Sequence, residues 1–385
     1  MKKFLRANAA PILLLVSVFL GLLLTNISHR HFLPLGIFRY GIDLDLGPTH
    51  VGIGLDTLVG TFGIAAFFFL VGLELKRELR GGNLSPARNL IAPFLAALFG
   101  VALPASWYVC LNWGTPEISG WPIPTATDVT FALAVFVLFG SALPRAARTF
   151  LLSFAVIDDV VAVLVIAVVF QGSHANSPFG LAPVVGSTCL FVAASRLRPA
   201  ERFKFSVTVL AALSWLSAVF FTGLAGVEPA LMGLVLAFAV RRERIHAIEA
   251  KLNALVSYVA LPLFGLYASS VVLPEASILN SAVFWGVVVR PVWKFLGVFL
   301  GGWVGMHFAS EKMKLRTVDL AKVAVLGGIG FTVSLLVANI AFGAGRNSAD
   351  QAGAVVGTFI ASAISMVAGA LVLSSGHRSE ATHGS

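Results

Sequence analysis

The chain has 385 residues, 58% of them hydrophobic and only 12% charged, with 27 Lys and Arg against 18 Asp and Glu. A soluble globular domain carries about 25% charged residues, so this composition excludes that class. A net charge of +9 would suggest a nucleic-acid partner in a soluble chain, but here its placement assigns it to membrane orientation.

Cutting the sequence at charge clusters and Pro/Gly/Asn-rich breaks predicts twelve apolar spans, and so an all-α polytopic membrane protein. They lie at roughly 10–27, 54–75, 90–111, 121–140, 149–170, 178–195, 205–221, 223–240, 252–273, 281–308, 321–342 and 351–374. Residues 10–374 then form one transmembrane domain, with residues 1–9 and 375–385 as tails. Lys2, Lys3 and Arg6 precede the first apolar run, but no small-residue cleavage site follows it, so it is kept as a span rather than a secretory signal. The loop at 28–50 contains IFRYGIDLDLGPT, whose alternation predicts a short external hairpin. Cys110 and Cys189 fall inside apolar segments without metal-ligand spacing and read as small packing residues. Gly297, Gly301 and Gly305 in the tenth span predict close helix packing.

Lys and Arg alternate sharply between loops. The N-terminus, the loops at 76–89, 141–148, 196–204, 241–251 and 310–322 and the tail hold 22 of the 27, whereas the intervening loops hold only Arg30, Arg39 and Arg346. That asymmetry places both termini in the cytoplasm and fits an even number of spans.

Several charges lie where hydrocarbon is expected, at about 2.5–3.5 kcal/mol each on insertion scales, so each needs a partner, water or a function. Asp128 lies in WPIPTATDVTFALAVF, Asp158 and Asp159 in FLLSFAVIDDVVAVLVIAVVF, Glu228 in GLAGVEPALMG, and Arg290 and Lys294 in VVVRPVWKF. Glu74 ends FFFLVGLELKREL beside Lys76, Arg77 and Glu78. At about 1.5 Å per residue, Asp128, Asp158, Asp159 and Arg290 all reach roughly 10–15 Å into their spans and converge near the midplane. Three carboxylates against one cation at that depth leave surplus negative charge that a proton or cation must neutralise. Adjacent helical residues point about 100° apart, so one of Asp158 and Asp159 pairs with Arg290 while the other faces a water-filled cavity. Pro122 and Pro124 break the fourth span beside the hydroxyls of Thr125 and Thr127, and Gly327, Gly328 and Gly330 interrupt the eleventh. Paired broken spans point to the midplane site of a transporter.

The segments LVGLELKREL, IPTATDVTFALAV, FAVIDDVVAVLVIA, ALPLFGLYAS and GGIGFTVSLLVANIAFG, in that order, resemble the NhaA-type sodium/proton antiporters of bacteria. The resemblance runs from about residue 10 to 374 and implies inverted three-helix repeats built on spans three to five and ten to twelve, with broken spans 4 and 11 crossing. It implies that Asp159 is the principal cation and proton ligand, that Asp158 is its neighbour, and that Thr127 and Asp128 contribute from the broken helix. Arg290 stands at a position that is lysine in the best-known members, pairing with the first aspartate and balancing helix dipoles; a guanidinium stays protonated at any working pH. Glu74, Arg77, Glu78 and Glu249 match cytoplasmic-face positions tied to pH response and the funnel. Glu228 stands where well-known members carry a pH-sensing histidine, and Thr61 where some carry aspartate. The loop at 28–50 matches a dimer-stabilising hairpin, which implies a homodimer. The implied activity is extrusion of sodium or lithium in exchange for external protons at the cell (inner) membrane, for pH and salt homeostasis, without a cofactor.

Other classes fit less well. An intramembrane aspartyl protease needs a GxGD motif where this chain has TATD, and a channel needs a continuous polar path rather than carboxylates at one depth. A proton-coupled carrier of another small solute is the alternative; it would need recognition groups beside Asp128 and Asp159. No GxxxxGK[ST] motif is present, so ion gradients drive transport and no enzymatic activity is expected.

Overall fold

The computed structural model describes residues 9–27, 41–45, 50–79, 87–170, 178–197, 201–225, 227–273, 278–310, 313–342 and 348–381. Helix α1 (Ala9–Ile27) is followed by β1 (Gly41–Asp45) and β2 (His50–Gly54). Residues Leu55–Gly63 turn into α2 (Ile64–Leu79), after which come α3 (Ala87–Leu111), α4 (Val129–Phe139), α5 (Arg145–Val169) and α6 (Pro178–Arg196). Next are α7 (Lys204–Leu224), α8 (Pro229–Ala239), α9 (Arg242–Leu255) and α10 (Leu261–Ala268). The chain closes with α11 (Ala282–Val288), α12 (Arg290–Met306), α13 (Thr317–Leu326), α14 (Thr332–Phe342) and α15 (Ser348–Ala381).

Among the described residues, eight helices are long and apolar enough to cross a membrane, or nine if α11 and α12, bent by 44°, are one span. Three shorter apolar helices cover Ala182–Arg196, Pro229–Ala239 and Thr332–Phe342. The hairpin expected within 28–50 forms slightly further along: β1 and β2 pair antiparallel, with Gly41 opposite Gly54 and Asp45 opposite His50. Residues 28–40 and 46–49 of that loop lie outside the described residues, as do residues 1–8 and 382–385 of the two tails. The last helix does not stop at 374 but runs on to Ala381.

Two compact units divide the chain. One holds Glu78–Ala162 and Val271–Ser385 with the N-terminal residues to Pro11; the other holds Ile12–Arg77 and Val163–Ser270. In the first unit α3 and α12 pack backbone to backbone. A Cβ at Gly297, Gly301 or Gly305 would fall onto the main chain of Phe99, Leu95 or Ala92, so the four-residue glycine spacing makes the close approach the sequence leads one to expect. In the second unit a buried cluster joins Phe69 and Leu73 of α2 to Phe191 of α6, Ala218 of α7 and Leu236 of α8. Phe69 meets the Phe191 and Trp215 rings edge-on at centroid distances of 6.2 and 5.8 Å. Cys110 and Cys189 are free and exposed rather than packed. In a lipid environment an outward-facing small apolar side chain carries no penalty, so their apolar setting did not require burial.

The glycine seam yields a test. Gly301→Leu should cost about 1–3 kcal/mol through overpacking of the α3–α12 contact, read as a lowered unfolding temperature in detergent. Gly186→Ala on α6, where an added Cβ meets nothing within 4 Å, is the control and should be neutral or slightly stabilising. Equal behaviour of the two variants would contradict the close packing.

Candidate functional site

Within the first unit, two interruptions of helix meet. After Pro122 the chain makes a single tight turn, Ile123–Thr125, and then runs extended through Ala126 and Asp128 before α4 starts. Pro122 and Pro124 have no N–H to offer a helix, which is why continuous α-helix fails here. The second interruption follows α13: Gly327, Gly328 and Ile329 close three-residue turns onto Ala324, Val325 and Leu326, and α14 begins at Thr332. Gly330 is where the two stretches touch, since a Cβ there would overlap the carbonyl oxygen of Ala126. Only glycine permits that approach.

The peptide groups freed by the breaks partner one another and nearby side chains. Asp128 N–H donates to the Ile329 carbonyl at 2.7 Å, and the Thr127 hydroxyl donates to the Gly327 carbonyl at 2.9 Å. Ser334 Oγ donates to the Ile123 carbonyl at 2.8 Å, and Ser362 Oγ to that of Gly330 at 2.9 Å. The Asp128 carboxylate caps two helices at once. One oxygen accepts from Thr130 N–H of α4 at 3.1 Å, and the other from the hydroxyl of Thr332, first residue of α14, at 3.1 Å. Each helix start carries about half a positive charge, so a carboxylate is favoured at this point. The rings of Phe131 and Phe331, 5.1 Å apart, and of Phe359, 6.1 Å from Phe331, pack beside the crossing.

Helix α5 presents Asp158 and Asp159, with 0% and 1% exposure, against this crossing. The sequence-based pairing of Asp158 with Arg290 is not what the structure holds. Lys294 takes that place: its ammonium lies 2.7 and 2.9 Å from the two Asp158 oxygens and also donates to the Thr125 carbonyl. Thr127 lies beside Asp158, and Asp159 lies within electrostatic reach of Lys294. Arg290, one turn earlier on α12, turns instead to the second break. Its Nε donates to the Gly328 carbonyl at 3.1 Å, Nη1 to Ser334 Oγ at 3.0 Å, and Nη2 to Ser362 Oγ at 2.7 Å and the Thr358 carbonyl at 3.4 Å. The reason is geometric. A planar fork of donors satisfies several fixed acceptors spread over three segments, whereas the flexible ammonium reaches one carboxylate as a point charge. Arg290 therefore compensates charge at the end of α13 rather than at Asp158.

Sequence reasoning noted Lys294 as a buried charge but missed its role, and it missed Thr332, Ser334 and Ser362 altogether. The signal for Lys294 was its spacing: residues 290 and 294 lie four apart on one helical face. The three hydroxyl residues carry no comparable mark in an apolar segment.

The cytoplasmic-face candidates sit in the second unit, except Glu78, which is partly buried near the end of α2. Arg77 Nη1 pairs with Glu249 Oε2 at 2.6 Å and its Nη2 lies 3.7 Å from Glu74. His246 Nδ1 is 3.8 Å from the same Glu249 oxygen. Lys76, also overlooked, is buried and donates to the carbonyls of Phe238, at 2.7 Å, and Val240, capping the C-terminal end of α8. Glu228 is not brought into this group. It precedes Pro229 at the opposite end of α8 and makes no side-chain cap.

The arrangement of buried acids, hydroxyls and main-chain oxygens at two broken helices suits a small cation and protons. The family model described as Na+/H+ antiporter 1 matches residues 2–373. The chain belongs to this family. It is thus a multi-pass membrane protein of a transporter family. A Saccharophagus degradans protein named Na(+)/H(+) antiporter NhaA 2 is 33% identical over 387 residues, covering 96% of this chain and 98% of that protein. A Clavibacter michiganensis protein of the same name is 36% identical over 322 residues, covering 81% of this chain and 77% of its own length. An Actinobacillus pleuropneumoniae protein named Na(+)/H(+) antiporter NhaA is 32% identical over 383 residues, covering 94% of each.

If the Arg290 fork holds the second break, Arg290→Lys should lower stability by about 1–3 kcal/mol through lost charge-assisted hydrogen bonds. Ser362→Ala should act in the same direction and less strongly. Because the two groups bond each other, the double variant should lose less than the sum in thermal unfolding. Strict additivity would contradict the shared network.

Proposed function

We propose that the chain extrudes cytoplasmic sodium or lithium in exchange for external protons, by alternating access at a carboxylate site near the membrane midplane, contributing to pH and salt homeostasis. The observation that carries this reading is the buried group of Asp128, Asp158, Asp159 and Lys294 at the two helix breaks. Three carboxylates face two cations there, counting Arg290, so one more positive charge brings the group to neutrality. A proton on Asp159 or a bound alkali cation can supply it, and the two then compete for one place. Competition of that kind is what couples an inward proton to an outward ion. Asp159 is the principal ligand in this reading, with Asp158 beside it and Thr127 and Asp128 shaping the site.

The remaining parts of the proposal follow the same line. Twelve spans result if the eight long helices, the bent pair α11–α12 and the three shorter apolar helices each count once, with the breaks at 123–128 and 327–331 as the crossing discontinuous helices of spans 4 and 11. The Lys/Arg asymmetry favours cytoplasmic termini in the bacterial cell membrane. The Arg77–Glu249–Glu74 group, with Glu78, serves as the pH-responsive funnel entrance, and Glu228 contributes from its own position. The β1–β2 hairpin supports a homodimer.

The test is sodium-induced collapse of a pH gradient in everted vesicles. Scanned across pH, wild type should respond, and Asp159→Asn, inserted at equal amounts, should give no response at any pH because the exchanged proton has lost its seat. A normal response from Asp159→Asn would sink the assignment.

A further inference from the structure

The last helix, α15, reaches the second break through one hydroxyl. Ser362, 0% exposed, donates its proton to the Gly330 carbonyl at 2.9 Å and accepts from the Gly330 N–H at 3.3 Å. A single side chain thus holds both main-chain groups of a residue that lies between helices. The same oxygen accepts from Arg290 Nη2 at 2.7 Å, so its one proton and two lone pairs are all in use. Gly330 in turn leans on the first break, since a Cβ there would lie 2.4 Å from the Ala126 carbonyl oxygen. That contact is backbone on backbone, with no rotamer that could give way. Ala126 directly precedes Thr127 and Asp128, and all three are buried. The chain runs extended from Ala126 to Asp128, so no helical hydrogen bonds absorb a displacement of Ala126 before it reaches the next two residues.

We propose that Ser362 is a positioning residue of the cation site: through Gly330 and Ala126 it sets the spacing of the Thr127 and Asp128 oxygens, and with it the preference between lithium and sodium. The inference rests on the sodium-exchange reading and adds a determinant of selectivity to that site. Ser362 itself touches no ion. Cations of different radius ask for different oxygen distances, and a site discriminates by size only as far as its ligands are kept from adjusting. Here the restraint comes from a helix that carries none of the acids of the site.

The test compares lithium with sodium in the same everted vesicles, as the ratio of the concentrations that give half-maximal collapse of the pH gradient. Loss of folded or inserted protein lowers the amplitude for both ions and leaves this ratio alone, so a merely structural role for Ser362 would not move it. Wild type should hold a ratio well away from one. Ser362→Ala frees the Gly330 peptide groups, and its ratio should move towards one by about threefold or more. Two controls should stay close to wild type. Ser362→Thr keeps the hydroxyl, and Ser365→Ala, about one turn further along α15, removes an equally buried hydroxyl that bonds no group among the described residues. If Ser362→Ala cannot be recovered folded, Ser362→Cys, a weak donor in the same place, takes its part and should shift the same way. A wild-type ratio near one, an unmoved ratio in the variant lacking the hydroxyl, or an equal shift in either control would overturn the inference. A wild type that responds to neither ion would instead sink the exchange reading itself.

Discussion

Peptide groups released from helix inside an apolar body must find partners, and this constraint shapes the first unit. An unsatisfied N–H or C=O away from water costs several kcal/mol on the scale set by lipid. The breaks at 123–128 and 327–331 release such groups in two places, and the protein answers by laying one break against the other. Asp128 N–H and the Ile329 carbonyl satisfy each other, while Thr127, Ser334 and Ser362 reach the carbonyls of Gly327, Ile123 and Gly330. The same need explains why charged side chains are tolerated. Asp128 answers two helix starts, Lys294 answers the carbonyl at the end of the first turn, and Arg290 answers the carbonyl after α13.

One of these charges does two things at once. Lys294 satisfies backbone and also neutralises Asp158, so one ammonium meets both needs. A buried ion pair is weak evidence of stability, because desolvation consumes much of the Coulombic gain. Its value here lies in what it leaves available. A pair of well-packed apolar residues could hold α5 to α12, but it could not exchange its contents for a proton or a cation. The group holds three acids against two bases, so one buried carboxylate is left for a proton or a cation to neutralise.

Much of this was legible in the sequence, and the illegible part has a physical cause. Pro122, Pro124 and the glycines at 327, 328 and 330 announced the breaks, because they remove donors or loosen the backbone whatever the tertiary context. Asp128, Asp158 and Asp159 were conspicuous by contrast with their surroundings. The division of labour between Arg290 and Lys294 was not readable, since two cations four residues apart share a face and a similar depth. Only the positions of acceptors on other segments decide between them: one carboxylate for the ammonium, four scattered oxygens for the fork. Ser334 and Ser362 were invisible for the complementary reason, as small hydroxyl residues are common in membrane helices and their partners come from elsewhere in the chain. The hairpin at 41–54 was foreshadowed by alternation, though its strands lie later than the loop's centre. The exposure of Cys110 and Cys189 was misjudged because apolar character does not separate core from lipid-facing surface.

The account stands or falls on which cation answers Asp158. The direct measurement is a pair of double-mutant cycles by thermal unfolding in sodium-free detergent, one over Asp158→Asn with Lys294→Gln and one over Asp158→Asn with Arg290→Gln. Removing one member of a buried pair costs about 3–5 kcal/mol, and removing both leaves no orphaned charge. The account predicts strong coupling in the Lys294 cycle, with the double variant recovering much of the single losses, and near-additive losses in the Arg290 cycle. Strong coupling of Asp158 to Arg290 with none to Lys294 would contradict it.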